Sequence, residues 1–263
     1  MEVRLGPAGT GGNSFLGLDK VKELGLNACE IEFTYGVKMS NGLAKQVGEK
    51  ARSLGIELSV HAPYYVNLNS LEKKKLEASK KRILQSCERG HFLHAKNIVF
   101  HPGFYGKKSK EETFETIKNA ILEIQKEIKK NGWFVTLAPE TTGKKNVFGD
   151  LNEILNLVKE THCSFCIDFA HLKARNNGTI DYNEIFFKLK QFKHIQAHFS
   201  GVNYTNAGEQ SHRITKESEI EELAKAILKH KINITIINES PDTFGDSLKT
   251  KKVFERLGYK FKI

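Results

Sequence analysis

One pattern constrains this chain more than any other: a short β-branched or aromatic run, a polar or glycine-bearing turn, then helix-like text, repeated from one end to the other. The runs are "EVRLG", "CEIEF", "ELSVH", "NIVFH", "FVTLAPE", "FCIDF", "HIQAH" and "ITIINE", ending near positions 6, 33, 61, 101, 140, 168, 198 and 239. Successive ends lie 27 to 41 residues apart, and text such as "EETFETIKNAILEIQKEIKK" or "EIEELAKAILKH" fills the gaps. Strands alternating with helices imply a parallel sheet with right-handed crossovers. Eight such units in 263 residues favour a closed barrel over an open doubly wound sheet. The expectation is an α/β chain forming a single (β/α)8 TIM barrel over residues 1–263, with the stretch 69–96 as one extended helical crossover. No linker, low-complexity tract or shift in composition divides it.

Composition narrows the class of function. No segment approaches the roughly 18 consecutive apolar residues of a membrane helix, and "MEVRLGPAGTGG" lacks the apolar stretch of a secretory signal, so a cytoplasmic protein with no membrane partner is expected. Cys29 and Cys87 stand alone, and Cys163 and Cys166 make one C-x-x-C pair without the second pair of a four-thiolate zinc site. They read as reduced core thiols. The net charge of +10 favours anionic partners such as nucleic acid, although much of the excess sits in runs such as "EKKKLEASKKR" that also suit a solvated helix face.

In a barrel of this kind chemistry is built at the carboxyl ends of the strands. Strands three to eight close on His61, His101, Glu140, Asp168, His198 and Glu239, and the following loops add His171 and His212. Any one of these alone reads as a structural hydrogen-bond or ion-pair partner. Together they would repel or desolvate one another at a barrel mouth, whereas divalent cations would neutralise the acids and hold the imidazoles neutral. A metal site is therefore expected. His91, His94, His162, His194 and His230 fall at helix ends or strand starts and carry no expected role. "GPAGTGG" lacks the lysine and spacing of a P-loop and reads as a tight strand-to-helix turn.

Imidazole and carboxylate without thiolate suit zinc, manganese or iron, with zinc first. Glu140, Asp168, His198 and Glu239 alone make a one-metal set, similar to that of sugar epimerases and ketose isomerases, in which two glutamates would exchange protons beside a bound ketose. That leaves His61, His101, His171 and His212 unused. His61 and His101 with Glu140 can hold a second ion and His171 with His212 a third, the clustered arrangement of phosphate-ester chemistry.

Seven segments then carry a specific resemblance: "SVHAPYYVNL", "VFHPG", "APETTG", "CIDFAH", "QAHFSG", "GEQSH" and "NES". Through them the chain resembles the endonuclease IV family, zinc-dependent (β/α)8 barrels that cut DNA 5′ to an abasic site and leave a 3′ hydroxyl. The resemblance implies one zinc on His61, His101 and Glu140, with Glu140 bridging to a second on Asp168, His198 and Glu239. It implies a third on His171 and an Asp-x-His pair. Glu140 and Glu239 are the implied catalytic carboxylates, Glu239 orienting or deprotonating the nucleophile. Tyr64 and Tyr65 fall where the family inserts side chains into duplex DNA, so an abasic duplex is the implied partner and a monomer the expected state.

The match breaks at one place. The family's Asp in the Asp-x-His pair falls on Gln210, with His212 retained. Glutamine has no charge to offset cation desolvation. Glu209 substituting, water filling the gap, and only two bound ions all remain open from sequence, as do the sugar isomerase reading and a lesion-binding protein that does not cut.

Overall fold

A computed structural model, describing residues 1–261, contains all eight expected barrel strands: Val3–Pro7, Ala28–Glu32, Glu57–His61, Asn97–Phe100, Thr136–Pro139, Cys166–Asp168, Ile195–Phe199 and Ile234–Asn238. Hydrogen bonding arranges them as two four-stranded parallel sheets, in the orders first-eighth-seventh-sixth and second-third-fourth-fifth. Parallel bridges from Ala8 to Glu30 and from Glu140 to Cys166 join the sheets into a ring. At the first of these junctions a Cβ on Gly6 would lie 1.7 Å from the Ala28 carbonyl oxygen, so only glycine lets the strands approach.

Register decides which side chains face the barrel axis. Directly paired residues share a face, and the face returns every second residue. The pairs Ala8–Glu30, Glu30–Ser59, Glu32–His61, His61–Val99, Val99–Ala138, Glu140–Cys166, Cys166–Gln196 and Asp168–His198 therefore trace one continuous inner surface. The intervening residues, among them Leu5, Ile31, Leu58, Val60, Ile98, Phe100, Leu137, Ile167 and Ile236, belong to the large buried core beneath the helices. Each such side chain contributes about 1.5–3 kcal/mol on burial. Apolar burial is thus concentrated outside the ring. Inside it, Val99, Ala138 and Cys166 form a small separate cluster, Ala8, Ala28 and Ile237 are further apolar positions, and the carboxyl-end rim is polar.

Local signals set the helices. Lys110–Lys130 begins at a Ser109/Glu112 capping box and Leu151–Thr161 at an Asp150/Glu153 one, each satisfying orphan amides reciprocally. Lys73–Phe92 lies within the expected crossover at 69–96. All four cysteines are free and buried. Among the described residues no helix is long and apolar enough to cross a membrane.

Two features go beyond the eight-unit reading. Gly103–Phe104 pairs antiparallel with Val147–Phe148, and after the seventh strand the chain forms an antiparallel ribbon, Gly201–Thr205 against Gly208–Arg213. "GEQSH" is therefore the returning arm of a ribbon rather than an irregular loop. Its polar residues carry no strand-like apolar alternation because neither face enters the main core.

Candidate metal centre

Each expected ligand arrives at the barrel mouth by a local route. His61 ends its strand, His101 and Glu140 follow theirs directly, and Glu239 follows the eighth. Asp168 ends the sixth strand and also caps the helix Phe169–Arg175, its carboxylate accepting from the His171 amide at 2.7 Å. That cap explains the spacing of "DFAH". It starts a helix at once and carries His171 one turn along, beside the strand end rather than on it.

The side chains converge on Glu140, which is fully buried. His61 Nε2 and His101 Nε2 lie 3.2 and 3.1 Å from its Oε2, and His198 Nδ1 and His171 Nδ1 lie 3.2 and 3.3 Å from its Oε1. His198 Nδ1 is also 3.2 Å from Glu239 Oε1. Three overlapping groups have ligand atoms within 4.8 Å of one another: His61, His101 and Glu140; Glu140, Asp168, His198 and Glu239; and Asp168, His171 and His212. All eight expected ligands thus stand together. Gln210 is exposed.

Hydrogen bonding to the backbone fixes several imidazole tautomers. His61 Nδ1 lies 2.8 Å from the Ala62 carbonyl, His171 Nδ1 2.9 Å from that of Thr141, and His212 Nδ1 3.0 Å from that of Glu239. A carbonyl only accepts, so each ring donates from Nδ1 and, when neutral, turns an Nε2 lone pair into the cluster. The Nε2 atoms of His171 and His212 face each other at 3.5 Å. Two lone pairs at that separation need a cation or a proton between them. Asp168 Oδ2 is buried and makes no hydrogen bond, with His171 Nδ1 3.3 Å away, a costly state for a carboxylate oxygen unless a cation or a charged imidazole meets it. The donor set of imidazole nitrogen and carboxylate oxygen therefore fits divalent ions of the zinc or manganese type.

The protonation pattern reports the same field. Burial opposes ionisation of Glu140, but the charges of His101 and His198 and hydrogen bonds from His101 and His171 hold its carboxyl well below the ordinary range. Burial would lower His61, yet its bond to Glu140 and the nearby charges of Glu32, Glu140 and Glu30 push it up to about 10. Burial raises the Glu239 carboxyl despite the opposing charge of His198. Protons and divalent cations compete for these sites.

Two acids escaped the sequence reading. Glu30 Oε1 sits 2.8 Å from His198 Nε2, off the line of a good hydrogen bond, and Glu30 Oε2 accepts from Ser59 at 2.6 Å. Glu30 is thus the counter-charge behind His198, on the side away from Glu140. Glu32 lies beside Glu30 and Glu239, and burial pushes its carboxyl up to about 8. Their signal was the alternation in "CEIEF", which puts two glutamates on the inner face of one strand.

Tyr64 and Tyr65 stand at the rim, 59% and 62% exposed, with rings edge-to-face at 5.9 Å. The Tyr64 ring is 6.2 Å from that of His101. His194, by contrast, bonds Thr235 near the opposite end of the strands, and His162 ends a helix in the left-handed conformation.

Fold and site together define a barrel enzyme with clustered candidate metal ligands at the carboxyl ends of its strands. The chain belongs to the xylose isomerase-like TIM barrel family, which residues 18–213 match. It is 37% identical over 257 residues to uncharacterized protein MJ0133 of Methanocaldococcus jannaschii, covering 93% of each chain. The probable endonuclease 4 of Mycoplasmopsis synoviae is 26% identical over 198 residues, covering 70% of this chain and 69% of its own. Endonuclease IV from Thermus thermophilus has a TM-score of 0.70 at 19% identity, covering 97% of this chain and 100% of that one. A D-psicose 3-epimerase has a TM-score of 0.67 at 13% identity, covering 98% and 97%. The two structural likenesses are likenesses of fold.

Proposed function

We propose that the protein is a metal-dependent abasic-site endonuclease of DNA base excision repair, hydrolysing the phosphodiester 5′ to the lesion. The observation that carries this reading is the ligand set beyond a single ion. His61, His101, His171 and His212 add to the four residues that one cation needs, with Nε2 lone pairs of His61, His171 and His212 aimed inward. The homologues named endonuclease 4, the net charge of +10 and the exposed tyrosine pair at the rim point the same way.

In this reading His61, His101 and Glu140 would hold one ion, Glu140, Asp168, His198 and Glu239 a second, and His171 and His212 would contribute to a third. Bound zinc or manganese supplies Lewis-acid charge at the reacting phosphodiester. Glu239, at the mouth beside His198, would orient the attacking water in line with phosphorus and accept its proton. As the water oxygen bonds phosphorus the phosphorus–3′ oxygen bond breaks, and the proton taken from that water passes by way of solvent to the leaving oxygen, giving a 3′ hydroxyl and a 5′ phosphate. Tyr64 and Tyr65 stack on bases exposed beside the flipped-out lesion.

One observation favours a second reading, a sugar epimerase. Glu140, Asp168, His198 and Glu239 form a complete four-residue group on their own. The experiment is cleavage of a labelled duplex carrying one reduced abasic-site analogue, with zinc- or manganese-replete protein beside an EDTA-stripped control. A metal-dependent cut leaving a 3′ hydroxyl, lost in His61→Ala, supports the endonuclease. Ketose epimerisation without any cut, indifferent to His61→Ala, overturns it.

A further inference from the structure

We propose that this chain completes a third cation site with Glu209, which a β-bulge at Gln210 turns onto the face of His212. The proposal rests on the metal-centre reading but not on the identity of the substrate.

In a regular strand, residues 210 and 212 share a face and residue 209 points to the other side. The ribbon is not regular. Val202 pairs with His212 and Asn203 with Ser211, but the next residue, Tyr204, pairs with Glu209, leaving Gln210 without a partner. Tyr204 lies two residues beyond Val202 on the unbulged arm and shares its face. Its partner Glu209 therefore shares the face of His212. This is the re-aiming that a bulge performs beside a functional site.

The outcome is a converged set of donors. Glu209 Oε2 is 3.3 Å from His171 Nε2, its Oε1 is 3.8 Å from His212 Nε2, and the two Nε2 atoms are 3.5 Å apart. Ligand atoms about 2.0–2.2 Å from a tetrahedral zinc stand roughly 3.3–3.6 Å from one another. With both rings held to backbone carbonyls through Nδ1, an anionic oxygen facing two Nε2 atoms needs a cation or a proton at the centre, and the spacing of the three donors fits a cation.

The neighbouring loop is shaped for this side chain. A Cβ on Gly143 would lie 2.6 Å from Glu209 Cβ and 2.8 Å from its Oε2, so glycine alone leaves the room. The Glu209 amide also donates to the Gly143 carbonyl at 3.1 Å. Residue 210, where the resemblance places an aspartate, has been displaced outward. Its glutamine carries no ligand duty.

The test measures zinc equivalents per chain after dialysis, and stepwise affinities by competition with a chromophoric chelator. Wild type is expected to hold three ions. Glu209→Gln and His212→Ala should each remove the same single ion, and the double variant no more than that one. The weakest zinc step should fall by more than the about 10- to 100-fold that loss of an outer-sphere contact produces. Gln210→Ala should retain all three. Thermal melts check folding, and Gly143→Ala, whose added Cβ would crowd the Glu209 and His171 side chains while leaving all three donor residues in place, should weaken the same step if Glu209→Gln fails to fold. Wild-type stoichiometry retained in Glu209→Gln, or an ion lost in Gln210→Ala, overturns the proposal. Three ions without any cutting of abasic DNA would overturn the endonuclease reading and leave this one standing.

Discussion

Glu140→Ala is the most informative single substitution. Glu140 is fully buried, and its two oxygens lie 3.1–3.3 Å from nitrogens of His61, His101, His171 and His198. Removing one partner of a buried, hydrogen-bonded charge cluster costs about 3–5 kcal/mol, because the groups left behind lose their central counter-charge without gaining water. At about 1.4 kcal/mol per tenfold, that is roughly two to three and a half orders of magnitude in cation retention. Two ions share this carboxylate in the proposed arrangement, so both should be affected. Chelator competition reads the affinities, and single-turnover cleavage of the reduced abasic duplex reads the chemistry. Glu140→Gln, which keeps the volume and removes the charge, should move both in the same direction. Unchanged zinc affinities together with unchanged cleavage would refute the reasoning, since Glu140 alone lies within 3.3 Å of all four imidazoles.

Glu30→Gln should weaken zinc by about 10- to 100-fold, as expected for a group acting behind a ligand, and an unaltered affinity would remove Glu30 from the metal centre. Tyr64→Ala and Tyr65→Ala should each weaken abasic-duplex binding by about 1–3 kcal/mol, roughly 5- to 150-fold, with zinc content unchanged; equal binding in gel-shift titrations would mean that the pair only packs the rim. In metal-free protein His61 is raised from 6.5 to about 10, so its stabilising effect is complete below about 6.5 and lost as pH rises through 10. EDTA-treated protein should therefore lose thermal stability across that window while zinc affinity climbs, and a metal-free melting temperature that rises with pH would contradict the assignment.

The strand ends were legible because they are local. A β-branched run closing on His or Glu before a polar turn says where a barrel strand stops, and the barrel rule then says what gathers there. His61, His101, Glu140, Asp168, His198 and Glu239 follow from that logic alone, and "DFAH" places His171 through a cap that spans three residues. Glu30 and Glu32 were readable in principle from the alternation in "CEIEF", but naming His198 as the partner of Glu30 requires knowing which strands face each other across the ring.

Glu209 lies at the limit of such reading. The order of residues along the chain was enough to specify the eight-unit barrel, the inward polar rim and the absence of an acid at position 210. Which neighbour takes that place was set by the folded ribbon. A strand's side-chain direction is a property of its pairing, and one unpaired residue reverses the face of everything beyond it. The bulge at Gln210 belongs to the ribbon as a whole, and the space that receives Glu209 belongs to Gly143, more than sixty residues away in sequence.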